Sequence, residues 1–234
     1  MTARLLCLLA GTVLLTGCAA GRTAAPAATA APAAPAAFHG EQPQPVPDRP
    51  AFTLTDTSGR AYDFAAETAG RPTLLYFGYT SCPDECPTAL ADIAGALRTA
   101  PAALREQTRV VFVTTDPDRD TGPALRRFLD QFSTGYVGLR GTQAEVDAAQ
   151  AATGVRPARR GEDVPTLPGR PDQHVHQPGT APHEHAGPLG YGVAHADVIF
   201  AFDTDDRLPV MYDGGVRPSD IAADLPLLAS GDNP

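Results

Sequence analysis

Pro72-Thr73-Leu74-Leu75-Tyr76-Phe77-Gly78-Tyr79-Thr80-Ser81-Cys82-Pro83-Asp84-Glu85-Cys86-Pro87 is the stretch that decides the fold. Its first half, Pro72 to Phe77, is a continuous apolar run of strand length, as expected for a central strand covered on both faces. Its second half carries two cysteines, each followed by proline, and Leu90, Ile93, Ala94 and Leu97 then recur at helical spacing. The residue before a proline is pushed away from α geometry, and Pro87 suits the first helical position, so the helix is expected to start there. The result is a stiff loop holding two thiols at the positive end of a helix dipole. That setting lowers thiol pKa and favours the thiolate, with Asp84 and Glu85 partly opposing it.

Working outward, Ala51-Phe52-Thr53-Leu54 and Tyr62-Asp63-Phe64 flank a Ser58-Gly59 turn on the N-terminal side. On the C-terminal side, Arg109 to Thr114 is a second buried strand. Leu125, Phe128, Leu129 and Phe132 stripe a helix, Tyr136 to Leu139 suits a short strand, and Thr142-x-x-Glu145 is a capping box opening a helix through Ala152. Ala196 to Asp203 and Val210 to Tyr212 read as a closing hairpin, and Pro218 to Leu228 as a final helix. Strands alternating with helices predict an α/β sheet with an antiparallel terminal β-hairpin. Between Val155 and Gly190 the pattern stops. This His/Pro/Gly-rich segment carries His174, His176, His183 and His185, four of the six histidines, and reads as a surface insertion over 155–190.

The N-terminal part is of another kind. Arg4 precedes an apolar stretch from Leu5 to Leu15, too short to span a membrane and of the length of a signal-peptide core. It ends in Leu15-Thr16-Gly17-Cys18, which resembles the lipobox of bacterial lipoproteins. That resemblance implies a signal peptide over 1–17, a lipid on Cys18, and a chain held on the outer face of the cell membrane, outside the cytoplasm. Residues 18–50, rich in Ala and Pro, are expected to be a flexible tether, leaving a single folded domain over 51–230. Cys7 leaves with the signal, so Cys82 and Cys86 are the lone pair in the folded part, in a compartment where a disulfide can persist.

The 234 residues carry a net charge of −9, and all 18 basic residues are arginine, with no clustered basic face. Nucleic acid is not an expected partner. For the cysteine pair three chemistries stand open. A structural disulfide closing so short a loop adds little stability. A redox dithiol usually shows Cys-x-x-Cys, whereas here three residues intervene. A soft-metal site becomes attractive with a third donor, and His195, in Tyr191-Gly192-Val193-Ala194-His195-Ala196-Asp197, sits at the mouth of the hairpin strand. Two thiolates and an imidazole suit Cu(I) and can rearrange for Cu(II), whereas a structural zinc site ordinarily takes a fourth ligand. A peroxidase of the peroxiredoxin kind is disfavoured, since Tyr79 and Pro83 stand where it has Thr or Ser.

The stretch from Tyr76 to Pro87 resembles the signature of the Sco/SenC family of copper proteins. Asp116-Pro117-Asp118-Arg119-Asp120-Thr121 resembles the family's Asp-Pro-x-Arg-Asp-Thr segment, and Val193-Ala194-His195 leading into Val198-Ile199-Phe200 resembles the segment bearing its histidine ligand. The resemblance implies a thioredoxin-like fold and one copper ion on Cys82, Cys86 and His195, with Cys82 and Cys86 able to form a disulfide in the metal-free form. It implies a metallochaperone rather than an enzyme, maturing the dinuclear copper site of cytochrome c oxidase subunit II or serving another cuproprotein. Reduction of partner cysteines is the alternative. The four histidines of the insertion are candidates for an auxiliary metal site. Within the Asp116 segment, Asp120 or Thr121 is expected to cap the next helix, and Arg119 to hold loops together.

Overall fold

The computed structural model describes residues 37–160 and 193–231. In chain order these form β1 (Thr53–Asp56), β2 (Ala61–Asp63), α1 (Phe64–Thr68), β3 (Thr73–Gly78), α2 (Glu85–Thr99), α3 (Ala102–Gln107), β4 (Arg109–Thr114), α4 (Gly122–Leu129), β5 (Val137–Arg140), α5 (Gln143–Ala152), β6 (Arg159–Arg160), β7 (Val193–Ala194), β8 (Val198–Phe202), β9 (Val210–Asp213) and α6 (Pro218–Ser230). A seven-stranded sheet runs β2-β1-β5-β4-β3-β8-β9. Its centre, β5-β4-β3, is parallel. Antiparallel β8-β9 closes one side and β1-β2 the other. This is the expected α/β, thioredoxin-like arrangement with its terminal hairpin.

Strand β3 is buried at every position, as its unbroken apolar run requires. Leu74 and Tyr76 face one core layer with the α2 residues Leu90 and Ile93. Leu75 and Phe77 face the other with Phe64, Val146 and Phe200. The period-2 alternation of a strand thus feeds two cores at once. The Thr142–Glu145 capping box opens α5, and the Thr121 side chain accepts the Ala124 N–H at the start of α4.

Three boundaries differ from expectation. The helix after the cysteine loop starts at Glu85, not Pro87, so Cys86 lies within its first turn. Proline is tolerated there because the first N–H groups of a helix have no intrahelical partner to lose. The interruption expected from Val155 starts later: Arg159 and Arg160 pair with Ala194 and Val193 as a two-stranded ribbon, and the Ala158 N–H donates to Gln150 Oε1.

The third difference concerns the expected tether. Residues 38–50 lie along the domain as a strap. Phe38 is in the core, Glu41 pairs with Met211, and the buried Arg49 donates to Asp206, Thr68 Oγ1 and the Arg71 and Asp203 carbonyls. A composition dominated by Ala and Pro hides how much two well-placed side chains can anchor. Residues 1–36 lie outside the described residues, and with them the expected signal peptide and Cys18. Among the described residues no helix is long and apolar enough to cross a membrane.

His39 makes the strap pH-sensitive. Its Nδ1 lies 2.6 Å from Oδ1 of the wholly buried Asp224, whose Oδ2 accepts the His39 N–H and the Tyr212 hydroxyl. The Asp224 hydrogen bond and charge raise the His39 pKa above its ordinary 6.5, with burial opposing. A raised folded-state pKa stabilises the fold fully below the unfolded value, and that contribution disappears as pH climbs through the raised value. The urea midpoint is expected to fall as pH rises from about 6 upward, and His39→Gln to remove that part of the slope.

Candidate metal centre

The C-terminal end of β3 delivers the chain into the cysteine loop, and the same end of the sheet receives β8 from His195. Strand order alone therefore brings residues more than a hundred positions apart to one place. Cys82, Cys86 and His195 are all buried, and one donor atom from each lies within 4.8 Å of the others. Cys86 Sγ is 3.5 Å from His195 Nε2, and the Cys86 N–H points at Cys82 Sγ across 3.4 Å. Both cysteines are free thiols here, not a disulfide.

The imidazole is oriented from behind. His195 Nδ1 lies 3.0 Å from the Ala196 carbonyl oxygen. A carbonyl can only accept, so Nδ1 carries a proton, and Nε2 is the ring nitrogen turned toward the sulfurs. The Tyr76 and Tyr79 rings meet the imidazole edge-on, with centroids 6.2 and 5.7 Å away. Tyr76 is itself fixed by a 2.7 Å hydrogen bond from its hydroxyl to Asp197 Oδ1.

The two sulfurs are electrostatically unequal. A hydrogen bond from the Cys86 thiol, with further help from His195 and the Cys86 and Asp84 N–H groups, lowers the Cys82 pKa against the opposing effect of burial. Burial, then the Cys82 sulfur, pushes Cys86 well up. The pair is therefore biased toward a thiolate at Cys82 and a protonated Cys86. That is the asymmetry that suits a nucleophile or a first metal ligand.

A second loop supports the first. Asp120 accepts from the Thr80 N–H (2.9 Å), the Thr80 hydroxyl (2.6 Å) and the Thr114 hydroxyl (2.5 Å), clasping the residue two before Cys82 to the end of β4. Arg119 is ion-paired with buried Asp116 and places its guanidinium 5.6 Å over the Tyr79 ring. Of the expected roles here, Thr121 is the helix cap, Arg119 joins loops, and Asp120 clasps the cysteine loop. Asp116 does not join the donor cluster. The Tyr76–Asp197 pair has no signal in the sequence, because nothing linear couples positions 76 and 197. His174, His176, His183 and His185 lie outside the described residues.

Gly78 is the position of closest approach. A Cβ there would lie 2.7 Å from Cys86 Sγ and 2.9 Å from the Tyr76 ring. Gly78→Ala is expected to lower unfolding free energy by about 1–3 kcal/mol, the usual penalty of overpacking a tight core, as read by urea denaturation.

Two thiol sulfurs and one imidazole nitrogen in a buried, aromatic-walled pocket form a soft, three-coordinate donor set. Comparison with known proteins agrees. The family model described as SCO1/SenC matches residues 40–230, most of the chain. Protein SenC of Rhodobacter capsulatus is 37% identical over 101 residues, covering 43% of this chain and 45% of that protein. The human mitochondrial SCO1 homologue is 34% identical over 115 residues, 47% of this chain and 36% of that one. The chain thus spans about half the length, or less, of the curated relatives it matches. Among solved structures, copper-bound ScoI of Bradyrhizobium japonicum superposes with a TM-score of 0.59 at 30% identity, covering 77% of this chain and 99% of that one. Apo Sco1 of Thermus thermophilus gives a TM-score of 0.65 at 25% identity, covering 83% and 99%.

Proposed function

The chain belongs to the SCO1/SenC family, and from that premise we propose that it is a copper metallochaperone, with Cys82, Cys86 and His195 as the ligands of its cargo. The observation that carries this reading is the convergence of the three donor atoms within 4.8 Å, with Nε2 of the imidazole turned toward the sulfurs. Copper binding by the similar ScoI of Bradyrhizobium japonicum supports it. Copper would be taken through the Cys82 thiolate. Closing the site on Cys86 then releases a proton from that thiol, since only thiolate sulfur ligates strongly. Three ligands leave the ion coordinatively unsaturated, so an incoming recipient thiolate or imidazole can displace them one at a time.

The recipient we propose is the dinuclear copper site of cytochrome c oxidase subunit II, or a cuproprotein with a comparable site, met outside the cytoplasm by a chain anchored through a lipid on Cys18. The test is transfer. The full-length protein, loaded with Cu(I), is mixed with the reduced soluble domain of subunit II, and copper is measured on each partner after separation. One copper per chain moving to the recipient is the expected result. A fully reduced protein that takes up no copper refutes the chaperone reading.

The unequal sulfurs support a second role, as a dithiol that reduces partner cysteines. That chemistry needs Cys82 and Cys86 but not His195. Disulfide exchange that survives His195→Ala while copper binding fails would separate the two activities.

A further inference from the structure

At the other end of the sheet, where β3, β4 and β5 begin, the structure holds a second concavity that plays no part in the metal centre. It has a volume of about 320 Å³ and lies between the end of α2, α3, the start of β4 and the loop entering β5. Leu97, Val110 and Phe132 make its wall apolar. Arg98, Arg105 and Arg109 line it together, against a single acidic residue, Glu106. Three arginines lining one pocket are out of keeping with a chain whose net charge is −9. Among the described residues none of the three makes a side-chain ion pair or hydrogen bond.

Tyr136, in the same lining, supplies an independent observation. It is only 4% exposed, and its hydroxyl has no hydrogen-bond partner among the described residues. A buried hydroxyl left unbonded costs free energy, so such groups call for an explanation. Burial holds the phenol protonated, and the charge that acts on it is the positive one of Arg98. Three unpaired cations beside an apolar wall describe the complement of an amphiphilic anion. We propose that this pocket binds a small oxyanion on an apolar body, an alkyl or aryl carboxylate or phosphate monoester. The arginines would meet its head, and Leu97, Val110 and Phe132 its body. The size fits, since small-molecule sites begin at roughly 300 Å³, and guanidinium is the side chain best matched to a carboxylate or phosphate. The site is independent of the metal reading, because it lies beyond the full length of β3 from Cys82.

Calorimetric titration of the full-length protein tests it with decanoate, decyl phosphate, decanol and inorganic phosphate, below micellar concentrations. Decanoate or decyl phosphate is expected to bind saturably, one per chain, with decanol and inorganic phosphate at least about tenfold weaker, the loss of a charge-assisted head or of the body. The Arg98→Gln/Arg105→Gln double variant should weaken the binding by a similar factor. Tyr136→Phe should raise the thermal midpoint of the ligand-free protein, because the unbonded hydroxyl is gone. The proposal is overturned if neither amphiphile binds, if the double arginine variant binds as tightly as the parent, or if inorganic phosphate matches decyl phosphate. Amide shifts on decanoate addition should cluster at residues 94–110 and 132–136 and leave Cys82, Cys86 and His195 in place. Copper uptake is read separately on the same samples, so failure of one site is distinguishable from failure of the other.

Discussion

Cys86→Ser protein is expected to lose Cu(I) affinity by far more than about a hundredfold, and His195→Ala by about a hundredfold or more, against a chromophoric Cu(I) chelator. The threshold is set by what removing an outer partner of a metal ligand does, roughly 10–100-fold; removing a ligand itself must exceed it. The cysteine change is the more severe because soft Cu(I) loses a thiolate and gains only a hard hydroxyl. His195→Ala leaves both sulfurs, and two-coordinate Cu(I) remains feasible, hence the smaller loss. Tyr76→Phe should fall below either, since it removes a hydroxyl that bonds Asp197 and Cys86 but leaves all three donor atoms in place. If His195→Ala retains full affinity, the three-ligand site is wrong, whatever happens at the cysteines.

The second large effect is on stability. Arg49→Ala is expected to lower unfolding free energy by about 3 kcal/mol, the low end for breaking a buried charge pair, because Asp206 is half-exposed and can be solvated when its partner goes. The Arg49 side chain is 2% exposed and donates at 2.9–3.0 Å to Asp206, Thr68 Oγ1 and the Arg71 and Asp203 carbonyls. Its guanidinium also lies 5.0 Å over the Phe202 ring. One side chain thus joins the strap, the turn before β3 and the β8-β9 turn. Arg49→Lys should recover only part of the loss, since a single ammonium cannot reach so many divergent acceptors. Urea denaturation checks both. A chain trimmed to begin at Ala51 should be destabilised at least as much, whereas one trimmed just ahead of Phe38 should not.

The donor set of the first prediction is legible in the sequence, and the strap of the second is not. The core sheet can be read because β3 and β4 are unbroken apolar runs and α5 announces itself with a capping box. Cys82 and Cys86 can be read because a Cys-x-x-x-Cys loop between a buried strand and a helix has few other uses, and the resemblance around His195 supplies the third member. The start of α2 escapes because proline statistics speak to the residue before Pro87 in general, not to a first turn that needs no N–H. The strap escapes because Phe38, His39 and Arg49 are single anchors scattered in residues 38–50 among Pro, Gly and Gln, and their partners, Asp224 and Asp206, come more than 150 positions later. Local composition reports average burial, and a strap held at three points is not average. The Tyr76–Asp197 clasp and the Tyr136 pocket belong to the same class: tertiary pairings with no local periodicity.

The strap's direction has a consequence for where the chain enters the domain. It runs antiparallel to β9, with Glu41 beside Met211 and Asp48 beside Arg207, so its first residues lie at the pole where β9 ends and β8 begins. His195 immediately precedes β8, and Phe38 shares a core cluster with both cysteines. Anything upstream must therefore join the molecule at the thiol-bearing pole.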